Sequence, residues 1–201
     1  MLKKIPLIQP TQLLVSMERP AINRYTKEVA GNFTTMDGKY AVLSNAVKTG
    51  NINTCTGVVF HTPQINEMHH LAPEYSSHQD PIFIRDFFQE RIYELQKSYG
   101  DVKAFIFGGR GNDKQSFNLA NNIANPIEDA GVEFSMLFGK KKFNTHDQMA
   151  ITENKLSIWN DGFAKLFKKS ENVTDNKKVK FLEDNYEIVY TNGDDFLTIG
   201  K

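Results

Sequence analysis

Cys55 is the only cysteine in this chain of 201 residues, and two adjacent histidines, His69 and His70, follow it. A histidine within reach of a thiol can accept its proton and produce a thiolate near neutral pH, so these residue types form the minimal nucleophilic pair. Cys55 stands between a polar, turn-like segment at 50–54 and an apolar run at 56–60, and loops above rigid strands commonly carry nucleophiles. A free cysteine also packs as a small hydrophobic residue, so buried filler is the alternative interpretation.

Composition narrows the classes of function. The chain has 24 basic and 24 acidic side chains, and this balance produces no general attraction to nucleic acid or to anionic lipid. No apolar run approaches the roughly 18 residues that a membrane span requires. A single cysteine also excludes an intramolecular disulfide and any cysteine-rich zinc or iron–sulfur site. We therefore expect no nucleic-acid partner, no membrane span and no cysteine-rich metal site. The Cys-His chemistry itself needs neither a metal nor a cofactor, and we expect neither.

The amino terminus lacks the features of a classical export signal. Its apolar residues are interrupted by Pro6, Gln9 and Pro10, too early for a signal-peptide core. We expect a cytoplasmic protein, with injection into a host cell by a dedicated secretion machine as the alternative.

The spacing of apolar residues predicts helices and strands around one core. Intervals near three and four predict a helix over 81–99 capped by Asp80, and a second helix over 116–130 that Pro126 kinks or divides. Short apolar runs predict strands at 40–43, 56–60, 102–107, 132–138, 148–152 and 155–159. Turns are predicted at 49–53 and at the glycines 108–109. This mixture predicts an α+β fold.

Changes in composition divide the chain into three parts. Residues 1–36 show no sustained periodicity and are interpreted as an irregular lead-in. Residues 37–160 carry the regular pattern and form the predicted core domain. Residues 161–201 are rich in lysine and are interpreted as a basic tether that ends in a β-hairpin turning at Asn192-Gly193. Docking of a partner on these lysines is the alternative.

Other residues that could do chemistry receive structural interpretations. His61 and His78 are interpreted as ordinary surface or loop histidines, and His146 has no spaced partner ligands for a metal. The glycine run at 108–111 lacks the ending of a P-loop and is interpreted as a structural turn. Phenylalanines are predicted in the core at positions 83, 87 and 88.

A series of short motifs lies in order between residues 38 and 158. The motifs are Gly-Lys-Tyr-Ala-Val at 38–42, Thr49 ahead of Cys55, Val58-Val59, Met68-His69-His70 ahead of a proline, the strand and glycines at 102–109, Asn118, Gly131-Val132, and Lys-Leu-Ser-Ile at 155–158. Their order and spacing resemble the core of the CheD family, the chemoreceptor glutamine deamidases.

The resemblance implies a fold and a catalytic trio. The expected fold is a CheD-like layered α/β sandwich of mixed β-sheets with the helices 81–99 and 116–130 outside, plus the carboxy-terminal hairpin. The trio would be Cys55, His70 and Thr49. His69 is the alternative base, and because a strand turns adjacent side chains to opposite faces, only one of the two histidines can face Cys55.

The implied activity is hydrolysis of a glutamine side chain to glutamate and ammonia. Cys55 would attack the carboxamide, His70 would take the thiol proton and pass it to the leaving nitrogen, and Thr49 would orient the imidazole. The expected partner is a protein with an exposed glutamine, a chemoreceptor, together with a CheC-like phosphatase. The same fold and Cys-His arrangement occur in the catalytic domain of cytotoxic necrotizing factor, so a secreted toxin acting on a host protein is the alternative within the enzyme class.

One departure from the family favours a second hypothesis from a different class. Ile52-Asn53-Thr54 stands where the family has Leu-Gly-Ser, directly before the cysteine. If this change removes the oxyanion geometry, the protein is a binding module that acts by docking a partner on a CheD-like scaffold.

Overall fold

The computed structural model describes residues 14–17, 26–29, 42–44, 46–140, 147–152, 155–168 and 174–190. The strands in this part of the chain are β1 (Leu14–Ser16), β2 (Lys27–Val29), β3 (Val42–Ser44), β4 (Ala46–Ile52), β5 (Thr56–His61), β6 (Asn66–Leu71), β7 (Lys103–Arg110), β8 (Glu133–Gly139), β9 (Asp147–Thr152), β10 (Lys155–Trp159) and β11 (Tyr186–Tyr190). The helices are α1 (Ser76–Gln79), α2 (Pro81–Tyr99), α3 (Lys114–Asp129), α4 (Asp161–Lys168) and α5 (Asp175–Asn185). The predicted α+β class is confirmed.

The strands form two sheets, each with parallel and antiparallel pairs. The smaller sheet has the order β1-β10-β9-β4-β2, and the larger sheet has the order β11-β8-β7-β5-β6-β3. The parallel pairs are β1 with β10, β2 with β4, and β7 with β8. Both sheets are therefore mixed, as predicted.

Two apolar cores separate three layers. Between the sheets, Ile52 and Met149 of the smaller sheet pack in one cluster with Val59, Met68 and Phe107 of the larger sheet. A second cluster joins the outer face of the larger sheet to α2 and α3. Strand β5 serves both cores because its successive side chains alternate between faces, which explains its uninterrupted apolar run.

Local signals set the limits of α2, as the sequence predicts. The Asp80 carboxylate accepts hydrogen bonds from the amides of Ile82 and Phe83 at 2.9 and 3.3 Å. Pro81 occupies the first helical position, where its missing N–H costs nothing. The helix ends at Gly100, which has φ +85°. Phe88 is buried in the core as predicted. Phe83 is 41% exposed, and Phe87 is only partly buried, packed against the core and beside His69.

Helix α3 differs from its prediction at Pro126. The helix begins at Lys114, two positions before the predicted start, and Pro126 lies inside one continuous helix. The proline lacks the amide that would donate to the carbonyl of Asn122, so one helical hydrogen bond is missing, but the helix continues to Asp129 and the proline ring is buried against the core. It therefore does not divide the helix.

Several predictions of irregular structure are wrong. Residues within the predicted lead-in form β1 and β2, which pair with β10 and β4 in the smaller sheet. The predicted turn at 49–53 is largely the end of β4, because pairing with β9 satisfies its backbone whatever its side chains. The predicted basic tether contains α4 and α5, each held by a buried apolar residue, Phe163 and Leu182.

The carboxy-terminal segment is joined to the inter-sheet core by polar contacts as well. The Tyr186 hydroxyl accepts a hydrogen bond from Asn160 Nδ2 at 2.6 Å and lies 3.3 Å from both carboxylate oxygens of Asp147. Strand β11 pairs antiparallel with β8, and the predicted turn and second strand of the hairpin lie outside the described residues. In the described ranges, no helix has the length and apolar character needed to cross a membrane.

A buried ionic cluster joins β6 to α2. Glu67, which is fully buried, accepts hydrogen bonds from Arg91 Nε at 3.0 Å and from Arg91 Nη2. His69 Nε2 lies 2.7 Å from Glu67 Oε1. Burial by itself would raise the pKa of Glu67, but its hydrogen bonds with His69 and Arg91 outweigh burial and lower the pKa to about 2. The carboxylate is therefore charged and depends on its partners.

We predict that Arg91→Ala lowers the free energy of unfolding by about 3–5 kcal/mol, because it leaves a buried carboxylate without its bidentate partner. The pKa of Glu67 lies below its ordinary value of 4.5, so its stabilisation is complete above that pH and is lost as the pH falls towards 2. Urea unfolding at pH 7 and pH 3 measures both effects. The matched control is Arg85→Ala, which breaks the exposed Arg85–Asp86 pair and should cost at most about 1 kcal/mol; equal losses in the two variants would contradict the prediction.

Candidate active site

Cys55 lies where the chain passes from one sheet to the other. Strand β4 belongs to the smaller sheet and ends at Ile52, and strand β5 belongs to the larger sheet and begins at Thr56. The crossing is therefore made by residues 53–55. Cys55 is partly buried and packs against the inter-sheet core.

Two glycines of β7 support this crossing from the larger sheet. The Gly109 amide donates a hydrogen bond to the Cys55 carbonyl at 2.8 Å. Gly108 has φ +103°, and a Cβ there would lie 2.2 Å from Ile52 Cγ2 and 2.8 Å from the Cys55 carbonyl oxygen, so only glycine fits. The predicted turn at 108–109 is instead a register shift inside β7, which continues to Arg110.

His70 and Thr49 meet across the two sheets. His70 lies on β6 of the larger sheet, and its Nδ1 is 2.7 Å from Thr49 Oγ1 on β4 of the smaller sheet. Both side chains are buried. His70 is paired in register with Gly57, two residues beyond Cys55. The structure therefore brings Thr49 into contact with His70 and places Cys55 at the same end of the sandwich.

The tautomer of His70 determines what its second nitrogen can do. When Nδ1–H donates to Thr49 Oγ1, Nε2 carries its lone pair and can accept a proton. Nε2 is buried and makes no hydrogen bond to any residue in the described ranges. The Cys55 thiol and the His70 imidazole are therefore not hydrogen-bonded to each other in this structure.

His69 lies on the opposite face of β6 from His70. Besides its contact with Glu67, its ring packs edge-on against the rings of Phe60, Phe87 and Phe88 beneath α2. Of the two adjacent histidines, His70 is therefore the one on the face where Cys55 packs.

Burial keeps both members of the pair neutral. Desolvation raises the pKa of the Cys55 thiol to about 11, and the negative charge of Glu74 adds to this rise. Backbone hydrogen bonds from Asn53 and Cys55 and a side-chain hydrogen bond from Thr54 act in the opposite direction. Desolvation lowers the pKa of His70 to about 4. The resting site therefore holds a thiol and a neutral imidazole, not the thiolate that such a pair can produce near neutral pH.

Two histidines interpreted as surface residues are buried. His78 donates from Nδ1 to the Ala72 carbonyl at 2.7 Å and packs edge-on against Tyr75. It lies close enough to His70 that its charge, when protonated, lowers the pKa of His70 further. His61 is buried at the other end of β5, with Nδ1 2.7 Å from Asn66 Oδ1. Both interpretations were wrong because the local pattern of apolar residues does not indicate how α1 and the β5–β6 turn pack.

Ser116 is a further residue at the site that the sequence did not indicate. Its hydroxyl donates to the Thr54 carbonyl at 2.7 Å, directly before Cys55. No motif points to this contact, since the two residues come from α3 and the β4–β5 crossing. His146 lies outside the described residues. Within the described ranges, no three His, Cys, Asp or Glu side chains are grouped to hold a metal ion.

Two comparisons with known proteins were made by sequence. Neither the scan against protein-family models nor the search of curated proteins finds a match. The resemblance to the CheD family therefore remains a prediction from the sequence motifs, and the interpretation of the site depends on its geometry.

We predict that alkylation of Cys55 by iodoacetamide accelerates about tenfold per pH unit between pH 7 and 10, with no plateau near the free-thiol value of about 8.5, because only the thiolate reacts. His70→Ala should leave this slope unchanged, since an imidazole with a pKa near 4 is not charged at these pH values and cannot stabilise a thiolate. Mass spectrometry of the single cysteine measures the rates. A plateau below pH 8.5 that disappears in His70→Ala would reveal a preformed ion pair and contradict the prediction.

Proposed function

We propose that the chain is a cysteine-dependent protein-glutamine deamidase in which Cys55 is the nucleophile, His70 the general base and Thr49 the residue that orients it. The observation that carries the proposal is the 2.7 Å contact between Thr49 Oγ1 and His70 Nδ1 at the end of the sandwich where Cys55 packs. This arrangement supplies a nucleophile, a base and an orienting group, which is what acyl transfer requires.

The first half of the reaction transfers the glutamine acyl group to sulfur. Cys55 Sγ adds to the carboxamide carbon while His70 Nε2 accepts the thiol proton, and the carbonyl electron pair moves onto oxygen. Collapse of this intermediate breaks the C–N bond, His70 returns the proton to the leaving nitrogen, and ammonia departs. A weakly basic imidazole suits this second role, because its conjugate acid gives up the proton readily.

The second half hydrolyses the thioester. Water adds to the acyl carbon as His70 accepts one of its protons, and the proton then passes to the departing Cys55 sulfur. The products are a glutamate side chain and the original thiol. Because the sulfur has a raised pKa, it takes up this proton readily, which favours completion of the cycle.

The backbone amides near the Cys55 sulfur are also the proposed donors to the oxyanion of the tetrahedral intermediate. The backbone amides of Asn53 and Cys55 donate towards the Cys55 thiol. The oxyanion is borne by the carbon to which that sulfur bonds, so the same amides are the proposed oxyanion donors. Loss of one such donor typically costs on the order of a hundredfold to a thousandfold in rate.

The proposed substrate is a protein with an exposed glutamine. A chemoreceptor, with a CheC-like phosphatase as a further partner, follows from the CheD resemblance, and a host protein follows from the resemblance to deamidating toxins. The proposed compartment is accordingly the cytoplasm or the interior of a host cell. The proposed reaction uses neither metal nor organic cofactor.

A binding module is the second candidate function, and the neutral resting pair favours it. A site that does not catalyse a reaction would also hold a thiol with a pKa near 11. It would equally hold an imidazole nitrogen that makes no hydrogen bond within the described residues. This candidate requires that binding of a partner protein survives Cys55→Ser unchanged.

We predict that the parent converts glutamine to glutamate in proteins of a bacterial or a eukaryotic cell extract, and that Cys55→Ser and His70→Ala each lower the rate at least about a thousandfold. Quantitative mass spectrometry of modified glutamines, together with released ammonia, measures the reaction and identifies the class of substrate. The control is Ser135→Ala, which removes a buried hydroxyl on β8 that has no hydrogen-bond partner in the described part of the chain. Conversion that persists in Cys55→Ser would exclude the proposed mechanism.

We predict that Thr49→Val lowers the rate of this conversion roughly 10- to 100-fold with little change in KM, because a misoriented base costs rate rather than binding. Thr49→Ser keeps a hydroxyl for His70 Nδ1 and should stay within about threefold of the parent on the same reasoning. Steady-state kinetics on a glutamine protein identified as above distinguishes the two. Equal losses in both variants would show that Thr49 acts through packing alone.

A further inference from the structure

The Ser116 hydroxyl joins three segments of the chain at the candidate site. It accepts a hydrogen bond from the Arg110 amide at 2.8 Å and donates to the Thr54 carbonyl at 2.7 Å. Ser116 itself is held at the start of α3, where its amide donates to the Asp113 carboxylate at 2.8 Å. The side chain is fully buried, and both bonds of its hydroxyl are directional.

The bond from Ser116 determines the direction of the Cys55 amide. Thr54 C=O and Cys55 N–H belong to one trans peptide unit, in which the two groups point in opposite directions. With the oxygen held towards Ser116, the N–H is turned away from α3 and towards the Cys55 thiol.

The following peptide unit is held in a similar way. Its oxygen, that of Cys55, accepts from the Gly109 amide at 2.8 Å. Both peptide planes that flank the Cys55 Cα are therefore fixed, one by a side chain and the other by backbone.

We propose that Ser116 is a positioning residue that keeps the Cys55 amide aimed at the oxygen of an acyl group under attack by Cys55. The inference rests on the proposed role of Cys55 as nucleophile, and it assigns to α3 a part in forming the oxyanion site. Ser116 does not touch the reacting atoms and acts only through the Thr54–Cys55 peptide.

Two small reagents separate this role from a general effect on the thiol. With p-nitrophenyl acetate, the Cys55 sulfur adds to the ester carbonyl, the oxyanion forms and collapses, the C–O bond breaks, and p-nitrophenolate leaves as the thiol proton passes to buffer. With iodoacetamide, the sulfur displaces iodide and no oxyanion forms. Both reactions require the thiolate, so the ratio of the two rate constants cancels the ionised fraction of Cys55 and reports the oxyanion donors.

In the folded parent we expect this ratio to exceed that of glutathione at least about tenfold. Ser116→Ala should lower it about tenfold, which is less than the hundredfold to thousandfold typical of a lost donor, because the Cys55 amide is misdirected and not removed. Ser116→Thr retains the hydroxyl and should retain the ratio. Ser135→Ala removes an equally buried hydroxyl that has no hydrogen-bond partner among the residues the structure describes, and it should leave the ratio within about twofold. Circular dichroism verifies that each variant is folded.

Three results would overturn the proposal. They are a parent ratio equal to that of glutathione, a Ser116→Ala ratio equal to that of Ser135→Ala, and a loss in Ser116→Thr as large as in Ser116→Ala. The first needs no variant, so it applies even if Ser116→Ala does not fold. Since no glutamine substrate is used, a parent that has a raised ratio but deamidates nothing would reject the proposed function and leave the role of Ser116 standing.

Discussion

The chain passes from the smaller sheet to the larger one in three residues, 53–55, and this short crossing constrains everything around Cys55. Because the crossing is short, the larger sheet must approach it closely, which requires glycine at position 108 and a register shift in β7. The same approach brings the Gly109 amide to the Cys55 carbonyl. A tight connection between two sheets thus becomes a rigid support for a single thiol.

Burial is accompanied by opposite charge states in two polar clusters, one on each face of β6. On the face towards α2, Glu67 is fully buried, yet hydrogen bonds with Arg91 and His69 keep it charged. On the face between the sheets, Cys55 and His70 have no charged partner of this kind among the described residues, so desolvation keeps both neutral. The first cluster stabilises a helix on a sheet. The second is the pair to which the proposed proton transfer is assigned.

The layer of helices is coupled to the site as well as to the core. Helix α3 packs on the larger sheet through its apolar face, while its first turn presents Ser116 to the crossing. On the other side, the carboxy-terminal segment enters the inter-sheet core through Phe163, Leu182 and Tyr186. Elements far from Cys55 in sequence therefore hold the sandwich around it.

The sequence by itself determined those elements whose signals are local. The cap at Asp80, the proline after it and the apolar spacing were enough to predict α2. Short apolar runs predicted most strands of the larger sheet and, in the smaller sheet, β9 and β10. The period of a strand also required His69 and His70 to lie on opposite faces, which the structure has. The catalytic roles of Cys55, His70 and Thr49 remain predictions, since the motifs that suggest them carry no geometry.

Only the tertiary structure decided the contacts between residues distant in the chain. The Thr49–His70 hydrogen bond joins two sheets, and the Ser116–Thr54 hydrogen bond joins a helix to a crossing. Three further features were not predicted from the sequence, for the same reason. They are the short strands β1 and β2, the helices in the lysine-rich segment, and the burial of His61 and His78. Each of these features depends on a neighbour in space that is distant in the chain. The sequence pattern contains the periodicity of a helix or strand, but it does not identify the residues against which that element packs.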